Sequence, residues 1–249
     1  MRIFIFALVF VTVTCGLAIK AEPLYFDSSG LAGHATGRTV CGKNDIVPII
    51  DSQEDIQQMA RPVGILQGPG FLCSGTLVSQ DLFLTARHCY DRCSNLSVEF
   101  NYLGRNREVF GCKDIVEKGP QNSNSDYMLI RLEGNPGIEW GWYDLDDNPL
   151  TEQQPLMMIH HPNGSPMRLS LTDCRFVREQ DGLLYHSCDT HPGSSGAAII
   201  APNFEYPERT RIVGVHAFGG CDAAQTNYNS GPAVHYLSTK SNLIQSLVK

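Results

Sequence analysis

An all-β protein, a barrel or a sandwich, is what this sequence predicts. Three observations predict it. From about residue 41 onward the apolar stretches are short and broken by Gly, Pro, Asn and Asp. Leu96, Val98, Phe100 and Tyr102 alternate with Ser97, Glu99 and Asn101, the period of a half-buried strand. Many such stretches follow one another at close spacing, with turn residues between them and no alternation with helical patterns.

The elements justify themselves in order. Met1-Arg2 precedes an apolar run from Ile3 to Val13 and then Cys15-Gly16-Leu17-Ala18. That pattern reads as a secretory signal peptide over 1–18, cut after Ala18 or Ala21. As a membrane anchor the run is short of the roughly 20 apolar residues a span needs. Thr12-Val13-Thr14 lacks the small or Leu-type pattern expected before a lipidated Cys15. Residues 19–40, with Ser28-Ser29-Gly30-Leu31-Ala32-Gly33, read as a leader or propeptide. The working domain is then 41–249. Its strand candidates are Phe71 to Val78, Leu82 to Ala86, Leu96 to Tyr102, Tyr127 to Leu132, Leu156 to Ile159, Met167 to Leu171, Ala197 to Ile200 and Ile212 to Ala217. Leu243, Ile244, Leu247 and Val248 lie at helical spacing after Ser238 or Thr239, which predicts one C-terminal helix over 239–249.

The chain of 249 residues has 42% hydrophobic and 18% charged residues, enough to bury a core. Lys plus Arg number 19 against 26 Asp plus Glu, a net charge of −7. With no basic stripe, neither nucleic acid nor an anionic membrane is expected as a partner. No cofactor is implied. Of nine cysteines, Cys15 falls in the signal segment and eight remain, an even count that argues for disulfides in an exported chain. A zinc site on Cys89 and Cys93 lacks a second close pair. His160 and His161 are poor joint metal ligands, because adjacent strand residues point to opposite faces. Asn95-Leu96-Ser97 and Asn163-Gly164-Ser165 are glycosylation sequons.

Acyl transfer by a serine needs a hydroxyl, a base, a carboxylate that orients the base, and N–H groups aimed at the developing oxyanion. Cys73-Ser74-Gly75-Thr76-Leu77-Val78 and Leu82-Phe83-Leu84-Thr85-Ala86-Arg87-His88-Cys89 would form a hairpin ending at His88. Gly193-Ser194-Ser195-Gly196 precedes the apolar Ala197-Ala198-Ile199-Ile200. Asp126 heads the apolar Tyr127 to Leu132, with Asp114, Asp144 and Asp146 as rivals on position. Alone, each has a plainer reading: a structural His, a Gly-Ser loop, a turn-capping Asp.

Together, in the order His, Asp, Ser, they resemble the trypsin-like serine peptidases, whose base lies in Thr-Ala-x-His-Cys and whose nucleophile lies in Gly-x-Ser-Gly. The resemblance covers roughly 41–249 and selects His88, Asp126 and Ser195 as the triad, with the N–H groups of Gly193 and Ser195 as the oxyanion hole. With the strand spacing, it implies two antiparallel six-stranded barrels, about 45–135 and 136–235, with the triad in the cleft between them. Protein or peptide substrates, possible protein inhibitors, a monomeric state and an extracellular or periplasmic location go with it. The chain departs from digestive trypsins at Ser194, where they carry an Asp that pairs with the freed N-terminus, and it has no Ile-Val-Gly-Gly start. Its short spacings and Ile159-His160-His161-Pro162-Asn163-Gly164 look more like the bacterial glutamyl-endopeptidase branch.

In that branch a Thr five before the nucleophile and a His on the S1 strand bind the substrate carboxylate. Thr190 and His216 match them, with Gly219 on the same strand, Gly214 to Gly220. Asp189 stands where trypsins bind Arg or Lys, so a basic P1 residue is the alternative to the acidic one. A secreted, catalytically silent homologue acting as a binding module is the other alternative, and fluorophosphonate labelling separates it from an active enzyme. Cys73–Cys89 and Cys174–Cys188 each bracket a hairpin-sized segment and are the first pairings expected. Cys93–Cys112 comes next, which leaves Cys41 with Cys221.

Overall fold

The computed structural model describes residues 39–249 apart from 103, 223 and 225. The expected signal peptide over 1–18, the alternative cut at Ala21, Cys15, and the leader up to residue 38 lie outside the described residues. The first strand, β1 (Val47–Pro48), is followed by a short helix, α1 (Glu54–Met59). Then come β2 (Val63–Gly68), β3 (Phe71–Leu77), β4 (Leu82–Thr85), β5 (Ser97–Phe100), β6 (Glu108–Lys118) and β7 (Met128–Leu132). These six close an antiparallel barrel in the order β2-β3-β4-β7-β6-β5.

The barrel closes because one face of each strand is apolar. Leu66, Leu77, Phe83, Val98, Phe100 and Ile130 fill its interior and are fully buried. Burying each contributes about 1.5–3 kcal/mol. Phe100 meets Phe83 edge-to-face at 6.1 Å and stacks on Trp140 at 5.5 Å, in the short helix α2 (Gly137–Trp140) that covers one end.

The second half holds β8 (Met158–His160), β9 (Arg168–Ser170), β10 (Phe176–Gln180), β11 (Leu183–His186), β12 (Ala198–Ala201), β13 (Arg211–Val215) and β14 (Asn229–Pro232). A second closed six-stranded barrel was expected here, and among the described residues the ladders do not close into one. They form three separate sheets, β1-β9-β8, β10-β11-β14 and β12-β13, joined by single bridges such as Met157 to Ile200 and Phe218 to Ser230. The reason is local. The strands are three to five residues long, and register shifts interrupt the ladders, on β10 after Phe176 and on β13 at Val213. Pro232 ends β14 without an N–H to donate. A common apolar filling nonetheless runs beneath them, with Leu156, Met158, Leu184, Ile199 and Val213 in one cluster. β1 pairs with β9, so Val47 and Pro48 belong to this half and not to the closed barrel, although 45–135 was expected to be one unit.

The C-terminus carries two short helices where one was expected: α3 (Val234–Ser238) and α4 (Asn242–Leu247). Ser241 is the N-cap of α4, its Oγ accepting from Ile244 N at 3.0 Å, so the cap lies two to three residues beyond the anticipated Thr239 or Ser238. Among the described residues no helix is long and apolar enough to cross a membrane.

A third apolar cluster joins the halves. Leu84 and Leu129 of the barrel pack with Met157, Ile159, Ile200, Val215 and Ile244. The eight cysteines pair as Cys41–Cys221, Cys73–Cys89, Cys93–Cys112 and Cys174–Cys188. In the chain-entropy account, a link closing about 15 residues stabilises by about 3 kcal/mol. Three of the four links close loops of that size.

Candidate active site

The turn after β4 carries His88, and the loop before β7 carries Asp126. Because β4 and β7 are hydrogen-bonded neighbours, Thr85 pairs with Met128 and the two residues are delivered to one place. Asp126 is fully buried. Its Oδ1 accepts from His88 N at 2.9 Å, and its Oδ2 meets His88 Nδ1 at 3.1 Å and accepts from Asn122 N at 2.6 Å. Burial alone would push this carboxyl up. The hydrogen bonds from the His88 ring and from the N–H groups of Asn122 and His88 outweigh it and hold the carboxyl below its ordinary range. The carboxylate therefore fixes one tautomer of His88, with Nδ1–H toward Asp126 and Nε2 bare.

Ser195 sits on a turn docked against the barrel. Ser74 N, on β3, donates to Ser195 O at 2.9 Å, and Ser74 Oγ donates to Gly193 O at 2.8 Å. The Cys89 sulfur lies 3.8 Å from Ser195 O, so the turn rests on the Cys73–Cys89 link beside His88. Two glycines make this approach possible. Gly193 (φ +92°) and Gly196 (φ +84°) both lie in the left-handed region. A Cβ on Gly196 would collide with Ser74 O, and one on Gly193 would fall 2.7 Å from His161 O. The structure thus brings His88 and Asp126 into direct contact and seats Ser195 against the same hairpin. Among the described residues, the Ser195 hydroxyl itself makes no hydrogen bond.

Ser194, next to Ser195, turns inward. Its Oγ lies 2.7 Å from His160 Nδ1 and accepts from His191 N at 3.1 Å. His160 Nε2 lies 3.2 Å from Ser170 Oγ. The neighbouring His161 points elsewhere, with Nδ1 3.0 Å from Ser165 O and its ring edge-on to Tyr102. Burial pushes both rings down, His161 to about 4 and His160 well below the usual histidine range.

Around the expected S1 pocket the residues separate. His216 is buried, its backbone pairing with Gly196 and Ala197. Its Nδ1 lies 3.2 Å from His186 Nε2, and burial, then the charge of His88, push its ring down to about 3. Thr190 Oγ1 accepts from Asn229 Nδ2 at 3.2 Å and donates to Thr39 O at 3.3 Å. The methyl group of Thr39 fills the space where a side chain on Gly219 would begin. Asp189 is not aimed at these groups. Its two oxygens accept from Cys41 N at 2.7 Å and Asp45 N at 2.9 Å, and burial pushes its carboxyl up to about 6.

Sequence reasoning missed His186, Asn229 and Thr39. His186 carried one signal, an ionisable side chain ending the otherwise apolar Leu183-Leu184-Tyr185. Asn229, in Asn229-Ser230-Gly231-Pro232, carried none. Its amide donates to Thr39 O and Cys188 O as well as to Thr190 Oγ1, and its Oδ1 accepts from Gly220 N, contacts that exist only after folding.

The chain is similar to known proteins in sequence and fold. The profile of the family described as "Lysyl endopeptidase, C-terminal domain" matches residues 30–235. A relative from Sinorhizobium fredii, "Uncharacterized protein y4fB", is 28% identical over 68% of this chain and 26% of its own length. "Snake venom serine protease PTLE1" from Gloydius halys is 26% identical over 58% of this chain and 46% of its own. The chain thus spans less than half of either curated relative. Among solved structures, a Glu endopeptidase in complex with MPD superposes with a TM-score of 0.61 at 20% identity, covering 81% of this chain and 98% of that one. Neuropsin, a serine protease of mouse brain, gives 0.59 at 16%, covering 76% and 95%. These likenesses establish the chymotrypsin-like fold. With the profile match over most of its length, the chain belongs to the trypsin-like serine peptidases, in the family of the lysyl endopeptidase C-terminal domain.

Proposed function

We propose that this protein is a secreted serine endopeptidase that cleaves peptide bonds through an acyl-enzyme, with Ser195 as nucleophile, His88 as base and Asp126 as the group that orients the base. The observation that carries the reading is the buried Asp126 carboxylate, bonded to both the backbone and the ring of His88. With Nδ1–H spent on Asp126, the bare Nε2 takes the Ser195 proton as Oγ attacks the scissile carbonyl. The same nitrogen then gives that proton to the leaving amine, and water repeats the sequence to release the acid. The N–H groups of Gly193 and Ser195, presented by two left-handed glycines, receive the oxyanion.

For the P1 residue the reading is an acidic side chain. The His186 Nε2–His216 Nδ1 contact at 3.2 Å suits a pair in which His186 donates, and that tautomer of His216 would carry Nε2–H to donate to the substrate carboxylate. The Thr190 hydroxyl supplies the second donor by giving up its long bond to Thr39 O. A basic P1 is the second reading, supported by the position of Asp189 six residues before Ser195 and by the lysyl specificity in the matching family's name. Against it stand both Asp189 oxygens, already engaged by backbone N–H groups. Hydrolysis of a fluorogenic peptide panel varied at P1 tests the choice: Glu preferred supports the first reading, Arg or Lys preferred supports the second. No cleavage at all leaves the silent homologue.

A further inference from the structure

We propose that His160 is the positioning residue of the Ser195 turn, holding it through a neutral hydrogen-bonded chain that runs His191–Ser194–His160–Ser170–Asp189. The proposal rests on the peptidase reading above.

The direction of the chain follows from its far end. The carbonyl of Asp189 has no proton to give, so Ser170 Oγ donates to it, at 2.8 Å. With its only proton spent, Ser170 Oγ accepts from His160 Nε2, at 3.2 Å. The Nε2–H form of a neutral imidazole leaves Nδ1 bare, and Nδ1 accepts the Ser194 hydroxyl at 2.7 Å. Ser194 Oγ keeps a lone pair for the N–H of His191, at 3.1 Å. Every donor thus has one acceptor and every bond runs one way. Ser194, His160 and Ser170 are all fully buried, where an unsatisfied member would be costly. Burial also keeps the ring of His160 neutral.

The location gives the chain its purpose. Gly193 and Gly196 have no side chains, and Ser195 is half-exposed. Ser194 is therefore the one residue of Gly193–Gly196 whose side chain anchors the turn to the interior. Through it, His160 on β8 and Ser170 on β9 are tied to the residue between the two proposed oxyanion donors. Digestive trypsins anchor the same position with an ion pair made on activation. Here the anchor carries no charge and is complete without a free N-terminus.

The test compares wild type, His160→Leu, His160→Asn, Ser194→Ala and the His160→Leu/Ser194→Ala double variant. The readouts are kcat, KM, the rate of fluorophosphonate labelling, and Tm. In His160→Asn the amide oxygen would lie near the position of Nδ1 and keep an acceptor for Ser194. His160→Leu is expected to lower kcat and the labelling rate about 5- to 30-fold with little change in KM, the scale of one hydrogen bond. His160→Asn is expected to restore most of the loss. His160→Leu is expected to cost nothing further in the Ser194→Ala background. A purely structural role would instead lower Tm while leaving kcat of the folded protein intact, or make His160→Asn no better than His160→Leu, or make the two losses add. Any of these overturns the proposal. If His160→Leu does not fold, the comparison of His160→Asn with wild type and with Ser194→Ala decides: a Ser194→Ala labelling rate equal to wild type overturns it. A wild type that neither labels nor cleaves overturns the peptidase reading as well, whereas a labelled wild type with indifferent variants overturns this proposal alone.

Discussion

Asp126 and His88 meet twice: one carboxylate oxygen accepts from the His88 backbone N–H at 2.9 Å, and the other faces its ring Nδ1 at 3.1 Å. The double contact sets both the place and the tautomer of the imidazole. Asp126→Asn keeps the size of the side chain but puts an N–H donor where an acceptor is needed, which favours the wrong tautomer. The expected loss in kcat is about 10⁴ at neutral pH, with a smaller change in KM. A loss under tenfold would mean that Asp126 is not the orienting group.

The same carboxyl links stability to pH. Its folded pKa is depressed below the unfolded value near 3.8, so its contribution is fully present above that value and is lost as the pH falls through the lower folded one. The buried histidines act at higher pH. His160, His161, His186 and His216 all sit below 6.5 because burial disfavours their charged forms. The unfolded chain therefore binds their protons first, and stability falls as the pH drops below about 6.5. Asp189 opposes this. Raised to about 6, it is protonated earlier in the folded state, which adds stability as the pH falls from about 6 toward 4. Four protons against one decide the sign. Tm is expected to fall steadily from pH 7.5 to pH 5. A Tm that stays flat or rises over that range would contradict the buried, neutral state of the histidines.

Asp189 gives a separate prediction through its contacts with Cys41 N and Asp45 N. Asp189→Asn is expected to leave the order of P1 preferences unchanged and to remove the stabilising trend between pH 6 and pH 4. If cleavage after Arg or Lys is present in the wild type and disappears in this variant, Asp189 serves the pocket rather than the segment before β1.

The acidic P1 reading predicts that His216→Val or Thr190→Val lowers kcat/KM for Glu substrates by about 10- to 100-fold, the scale of a hydrogen bond to a charged group. Substrates with Ala at P1 are expected to change far less. Equal losses on Glu and Ala substrates would indicate damage to the fold and not loss of a carboxylate contact.

Much of this molecule was legible in its sequence, and the gaps have physical causes. Strands with clean alternation or an apolar run, such as β5 and β7, are where the pattern placed them to within two residues. β6 escaped because its burial is mixed along its length and two register shifts break its period. β14, Asn229–Pro232, has no strand-forming composition and is ordered by its partner β11. The β10–β11 hairpin was missed, although Asp181-Gly182, a two-residue turn with φ of +53° and +78°, carried a signal for it. The motifs around His88, Asp126 and Ser195 were local and could be read. The residues that support them could not. Ser74 is 121 positions from Ser195, and Thr39 is 151 positions from Thr190. The packing of the second half against β3 brings the first pair together, and the Cys41–Cys221 link with the Asp189 and Asn229 contacts brings the second.

Ser195, and not its neighbour, is the proposed nucleophile. The direct measurement is mass-spectrometric mapping of the adduct formed when the mature protein reacts with a fluorophosphonate. One adduct is expected, on Ser195, absent in Ser195→Ala and still formed, more slowly, in Ser194→Ala. Peptide hydrolysis should follow it, falling by about 10⁴ to 10⁶ in Ser195→Ala. An adduct on Ser194, or a wild-type protein that forms none, would contradict the account.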